Sequence, residues 1–399
     1  MSSPLTLIRI LEFLELVIIF LFPISLVTSI TLAGILIYAG AACFALLLIL
    51  NQKKSLNVYS FSEIDIAFLI YILAFVVSRF INSGIGTGFH TFFRMCQDYF
   101  VYLWVVFFLS KNPRNCRLIH RAILVSAFIA VIYGLLQFFH FDFFHRQVNV
   151  DRISGFHKNP YTYGGQLIVI FLFLLNEWYR RDKNLIWLFF ASLCFFCVLN
   201  TSERAVIFGV IAGFILYLIL QKIKNKDLVS CAFFLLTPVF LTVMFHRKVF
   251  KRIKNIVSPN LKNPPNIRFK LWGIALSIWK RNVLFGAGNF PVVSYQIANS
   301  FPVQYLRHAH NVYLQVLVTN GLIGLLSFIN LFYVILKTAF YGLRSSKYAC
   351  SLISVLLAFS IEGIFEYFWG DSEVRYLLLY FIGFVLGDLL ELYKNPKEV

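Results

Sequence analysis

Two histidines and four arginines are the residues of this chain best suited to chemistry. His308 and His310 stand two apart in Arg307-His308-Ala309-His310-Asn311, where a long apolar run begins. A helix opening there places partial positive charge beside His310, which disfavours an imidazolium, and Arg307 pushes the same way. A neutral imidazole accepts a proton, so His310 is a candidate general base. The plainer alternative is an interfacial histidine that caps the helix. Arg204 sits in Thr201-Ser202-Glu203-Arg204, a polar break between two apolar runs. An ionisable residue at membrane depth is costly and marks a candidate site, unless it pairs with Glu203 or another carboxylate for structure. Arg268 follows Pro264-Pro265 in the first turn of an amphipathic segment, where a guanidinium and free backbone N–H groups suit phosphate oxygens. Arg152 lies in Arg152-Ile153-Ser154-Gly155-Phe156, a loop that also reads as a plain turn.

These residues border an unusual segment. From His246 to Arg307 the chain carries eleven Lys and Arg residues and no Asp or Glu. Glu366, Asp371 and Glu373 cluster later, as an alternative base or as partners of Arg375. No His/Asp/Glu spacing has ligand geometry, so neither a metal nor a cofactor is expected. The seven cysteines lie mostly in apolar runs, and Cys194-Phe195-Phe196-Cys197 reads as packing rather than a redox motif.

The elements that must position these groups are apolar. Of the 399 residues, 59% are hydrophobic and 14% charged, with a net charge of +18. Mean hydropathy is +0.77. Repeated runs near the length of a bilayer span define an integral membrane protein rather than a soluble domain. Lys and Arg cluster between those runs, which points to topology and anionic partners, and no nucleic-acid motif is present.

The expected fold is all-α and polytopic, one integral membrane domain over residues 1–399. It has about twelve spans, near 11–28, 30–50, 64–82, 95–109, 118–140, 161–179, 185–199, 205–220, 228–245, 309–336, 349–368 and 375–391. Both termini fall inside by the positive-inside rule. Residues 246–308 then form a large external loop between the ninth and tenth spans. Within it, Ile267, Leu271, Ala275, Ile278 and Trp279 share one helical face. That predicts a short helix lying on the membrane, ended by a Gly286-Ala287-Gly288-Asn289 turn.

His310-Asn311, nine residues, then Gly321-Leu322-Ile323-Gly324 resembles the His-Asn-x9-Gly-x-x-Gly signature of the O-antigen ligase and polymerase superfamily. Thr201-Ser202-Glu203-Arg204-Ala205 is similar to its Ser-Arg-Gly/Ala segment. Arg268 with Trp272, Ala275 and the closing glycines resembles its external Arg-x3-Trp-x2-Ala stretch. Arg152-Ile153-Ser154-Gly155-Phe156 resembles its Arg-x-Ser-Gly-x-Phe loop. The resemblance runs over roughly 150 to 390, and Glu203 departs from the pattern.

It implies an inverting, metal-independent glycosyltransferase in a bacterial inner membrane, with its site facing the periplasm. The donor would be an undecaprenyl-pyrophosphate-linked glycan and the acceptor lipid A-core. His310 would activate the acceptor, Arg204 and Arg268 would hold the pyrophosphate, and Arg152, Asn311 and His308 would contact substrate. A polymerase joining glycan repeats stays open, as does a transporter or flippase of an anionic lipid-linked glycan.

Overall fold

A computed structural model of the chain describes residues 4–50, 61–111, 115–145, 152–245, 264–290 and 308–394. Every regular element among them is helical. The twelve α-helices are α1 Pro4–Thr28, α2 Ile30–Leu50, α3 Glu63–Lys111, α4 Asn115–Phe138, α5 Pro160–Arg180 and α6 Leu185–Thr201. They continue with α7 Arg204–Leu220, α8 Asn225–Phe245, α9 Pro264–Trp279, α10 Val312–Tyr341, α11 Ala349–Phe365 and α12 Ser372–Lys394. Six of them, α1, α2, α3, α4, α8 and α10, are long and apolar enough to cross a membrane. The helices α6, α7 and α11 are shorter and equally apolar. This is the architecture of a multi-pass membrane protein.

The 49 residues of α3 would span about 74 Å if straight, more than twice the thickness of a bilayer core. It does not run straight. Gly84, at φ +81° and ψ 176°, interrupts the helix. The two apolar runs 64–82 and 95–109 thus belong to one element bent at a glycine. Between α6 and α7 the chain turns at Ser202 with φ +57°, and Glu203 begins the next helix. The break read at residues 200–204 lies there.

α5 is the central post. Every residue from Thr162 to Trp178 is buried, as expected for a helix apolar on all sides and enclosed by others. It packs on α6, α7, α11 and α12. Between apolar helices in lipid, close approach of backbones replaces the hydrophobic effect as the source of association. Gly164 faces Val206 of α7, and Gly165 faces Val374 of α12.

The α7–α11 contact is equally tight. A Cβ on Gly209 would stand 2.7 Å from the Ala358 carbonyl, and one on Gly213 would stand 2.8 Å from that of Ser354. The two helices run antiparallel in this register, which brings the start of α7, at Arg204, level with the end of α11.

Arg375 does not pair with Glu366, Asp371 or Glu373. Its Nε lies 2.8 Å from Oδ1 of Asp98 on α3, and both side chains are sealed from solvent. The pair joins α3 to α12. Cys194 and Cys197 are free and fully buried, packed in the core.

Of residues 246–308, expected to form an external loop, 264–290 and 308 are described and 246–263 and 291–307 are not, so seven of the eleven cations lie outside the described residues. The apolar face of α9 packs on the protein. Leu271, Ala275 and Ile278 are buried, and Ala275 and Ile278 join Phe290, Ala309 and Val318 in a small core of their own.

Candidate active site

The loop that follows α9 reaches into a break in α10. Gly321 has φ +69°, which interrupts the helix and opens its hydrogen-bond ladder. Residues 283–288 fill the opening. Leu322 and Ile323 donate to the carbonyls of Val283 and Leu284, at 2.9 and 3.2 Å. Ala287 and Gly288 donate to those of Val318 and Thr319, at 2.7 and 3.0 Å. A Cβ on Gly286 would sit 2.5 Å from the Gly321 nitrogen, so both positions require glycine. Ser78 of α3 closes the junction by donating to the carbonyls of Phe285 and Thr319. The glycine signature is thus a structural clamp that fixes α9 against α10.

Asn311 sets the other end. It is the N-cap of α10, its Oδ1 accepting from Leu314 N–H at 2.8 Å. Its Nδ2 donates to the Ile364 carbonyl at 2.9 Å, lashing the start of α10 to the end of α11. The helix cap is therefore Asn311, which leaves the His310 ring for other work. His310 itself has φ +47°.

The lash places His310 beside Glu366. Nδ1 of His310 lies 3.0 and 3.2 Å from the two oxygens of that carboxylate. Nδ1 of His308 is 3.9 Å from Oε1, and the two imidazole centroids are 4.1 Å apart. Arg268 reaches the same carboxylate, 3.6 Å from Oε2. Trp272, one turn further along α9, donates its indole N–H to the Ala309 carbonyl at 3.1 Å and so holds α9 against the histidines. Four groups from α9, α11 and the segment before α10 thus converge: Arg268, His308, His310 and Glu366.

Glu366 is 5% exposed. Burial alone would push its carboxyl up. The His310 hydrogen bond and the charges of His310, His308 and Arg268 more than reverse this and hold it below the usual carboxylate range. An ionised carboxylate on Nδ1 fixes the imidazole with its proton on that nitrogen and a lone pair on Nε2. Among the described residues nothing is hydrogen-bonded to Nε2. Nearby, Asp371 is pushed up to about 6. Burial is the main cause, Glu373 and Glu366 add to it, and the hydroxyl of Thr162, donating at 2.9 Å, opposes it.

Arg152 is an anchor rather than part of a plain turn. It forms an ion pair with Glu203, donates to the Thr201 carbonyl at 2.9 Å and lies over the Tyr161 ring. Glu203 is therefore the partner of Arg152. Arg204 opens α7, and the α7–α11 register carries it to the level of Glu366. Tyr161, at the start of α5, lies within electrostatic reach of Glu366, Arg152 and Arg268, and no sequence signal marked it.

Sequence spacing showed no cluster with metal-ligand geometry. In the fold, His308, His310 and Glu366 offer three ligand atoms within 4.8 Å of one another. Glu366 is 56 residues from His310 in sequence, so its place among the acids was legible but its contact with the histidines was not.

Residues 188–329 match the family model for O-antigen ligase. Over this segment the chain is similar to that family. The match takes in Arg204, Arg268, both histidines, Asn311 and the Gly321–Gly324 clamp, and it stops short of Glu366. Family members are glycosyltransferase-like enzymes, ligases and polymerases. No curated protein matches the chain.

Alongside the site, a cavity of about 460 Å³ begins at Val312 and Tyr313 and runs between α10 and α11 past Phe328, Phe332 and Leu356. Its wall is almost wholly apolar and aromatic.

Proposed function

We propose that the chain is an inverting glycosyltransferase that moves O-antigen glycan from undecaprenyl pyrophosphate to lipid A-core, working on the periplasmic side of the inner membrane. The observation that carries this reading is the convergence of a carboxylate-oriented histidine and an arginine within a segment of O-antigen ligase type. On the expected topology of about twelve spans, with both termini inside and residues 246–308 external, these groups would face outward.

The chemistry follows from the geometry. Glu366 keeps the proton of His310 on Nδ1, so Nε2 takes the proton of an acceptor hydroxyl. The oxygen attacks the anomeric carbon from the face opposite the pyrophosphate, which leaves with its electron pair and inverts the centre. The departing diphosphate needs positive charge, which arginines can supply without a metal. Arg268 and Arg204 supply it from two helices. Arg152 holds Glu203 away from that charge and orders the loop before α5. His308 and Asn311 frame the acceptor side. The donor's tail fits the aromatic cavity beside α10, whose lining includes Val312, two residues after His310.

Purified protein, lipid-linked donor and lipid A-core test the base directly. His310→Ala is expected to reduce transfer at least about 10²-fold. Full transfer by that variant would remove His310 from the mechanism. Joining glycan repeats is the competing reaction in the same family. Deleting the gene separates the two by lipopolysaccharide gel. Loss of all O-antigen from core, with polyprenyl-linked polymer accumulating, indicates ligation. A single retained repeat indicates polymerisation.

A further inference from the structure

We infer that His308, His310 and Glu366 form a binding site for a zinc-class transition-metal ion, and that occupancy switches the transferase off. The inhibitory half rests on the glycosyltransferase reading above; the binding half does not.

The donor set is two imidazoles and one carboxylate. Zn–N and Zn–O bonds near 2.0–2.1 Å at a tetrahedral angle put ligand atoms about 3.4 Å apart. The carboxylate Oε1 is 3.0 Å from Nδ1 of His310 and 3.9 Å from Nδ1 of His308, which brackets that spacing. All three ligand atoms lie within 4.8 Å of one another. Both histidines are partly exposed while Glu366 is buried, so an ion has an entry side and a fourth position open to water.

The carboxylate divides its labour. Oε1 lies nearer both histidines and also accepts from Tyr367 N–H at 3.1 Å, while Oε2 is shared between His310 Nδ1 at 3.2 Å and Arg268 at 3.6 Å. That guanidinium opposes any cation held by charge alone. It therefore disfavours Mg²⁺ and Ca²⁺, which bind through oxygen, and leaves ions that gain from imidazole nitrogen, such as Zn²⁺ and Co²⁺.

Inhibition follows from the tautomer. In the free protein Glu366 holds the His310 proton on Nδ1, and Nε2 carries the lone pair. A metal on Nδ1 takes the lone pair of that nitrogen. The imidazole keeps one proton, which water relays from Nδ1 to Nε2. Nε2 then becomes a donor and can no longer accept the proton of an acceptor hydroxyl. No net proton is released at this ring.

Co²⁺ alone, titrated into the purified full chain without donor or acceptor, reads the site through the visible absorption of tetrahedral Co²⁺. The expected result is one saturable ion per chain, displaced by Zn²⁺ and untouched by equal Mg²⁺. His308→Ala and Glu366→Gln should each weaken binding at least about tenfold, while His120→Ala, on α4 and paired with Glu177 at the far end of α5, leaves it unchanged. X-ray absorption of the wild-type complex, which needs no variant, should give two imidazole nitrogens and light-atom ligands completing four.

Absence of saturable binding, or binding that survives in both variants with native elution profiles, overturns the site and leaves the transferase reading standing. In the transfer assay, Zn²⁺ should inhibit at the concentration that fills the site, and EDTA should restore the rate. Binding without inhibition overturns the tautomer switch. A fully active His310→Ala enzyme would remove His310 as the base, and the tautomer switch with it, while the metal titration still stood.

Discussion

Nδ1 of His310 and the carboxylate of Glu366 meet at 3.0 and 3.2 Å, although 56 residues separate them in the chain. The pairing defines which imidazole nitrogen is free to act. It also makes Glu366 a positioning residue, since it touches the base rather than the reacting atoms.

Replacing Glu366 with Gln keeps the shape and removes the charge that fixes the tautomer. Transfer should fall by about 10²-fold, mainly in kcat, with the donor KM little changed. Glu366→Asp should recover part of the rate. Steady-state kinetics with varied donor check this. A drop confined to KM would assign Glu366 to binding instead.

Arg268 is placed to meet a diphosphate, so its loss should weaken transition-state charge stabilisation. Arg268→Ala is expected to lower kcat/KM by about 10²-fold, and Arg268→Lys to recover only part, because an ammonium lacks the planar fork. Wild-type kinetics in both variants would place the pyrophosphate elsewhere.

Two carboxyls five residues apart should titrate in opposite senses. Glu366 is held low, so the stability it contributes is present above its unfolded pKa of about 4.3 and is lost as pH falls through its lower folded value. Asp371 is raised to about 6, so the folded state keeps its proton where the unfolded chain has released it. Stability therefore falls as pH rises from about 4 to 6. Asp371→Asn should flatten that window and raise Tm at pH 7 by on the order of 2 °C. Thermal melts across pH 4–8 measure both. A wild-type curve flat from 4 to 6 would contradict the Asp371 assignment.

Gly321→Ala forces a side chain into φ +69° and against the Leu284 carbonyl. The expected cost is about 2 kcal/mol or more, with α9 released from α10. Transfer should fall although residue 321 touches no reacting group. Unchanged stability and rate would show that the loop docks without the glycine.

Hydropathy made most of the scaffold legible. All twelve apolar segments read from the sequence are helical among the described residues, and the break near Ser202 is where polarity put it. The bend of α3 at Gly84 was not legible, because two apolar runs joined by a polar stretch read the same whether the helix stops or bends. Leu271, Ala275 and Ile278 of the expected α9 face are buried together, while the Ile267 side chain lies outside the described residues; the burial of Ala275 and Ile278 against Ala309 and Val318 depends on a loop seated ten residues into α10. Within the site, Arg268 and the histidines carried local signals. Glu366 stood out only as one of three acids that could be an alternative base or pair with Arg375, and Asp98 not at all, since their value lies in partners far along the chain, and a sequence pattern sees only the spacing of near neighbours. The exchange of Glu203 from Arg204 to Arg152 has the same cause.

The interruption at Gly321 bears on how the protein is made. Val318 and Thr319 expose carbonyls and Leu322 and Ile323 expose amides until residues 283–288 arrive, and hydrocarbon offers those groups nothing. Helix α10 can settle in the bilayer only with a stretch synthesised just before it already at hand. Exchanging that stretch for one from a relative, without exchanging residues 318–323 too, should yield a chain that the quality-control proteases of the membrane remove.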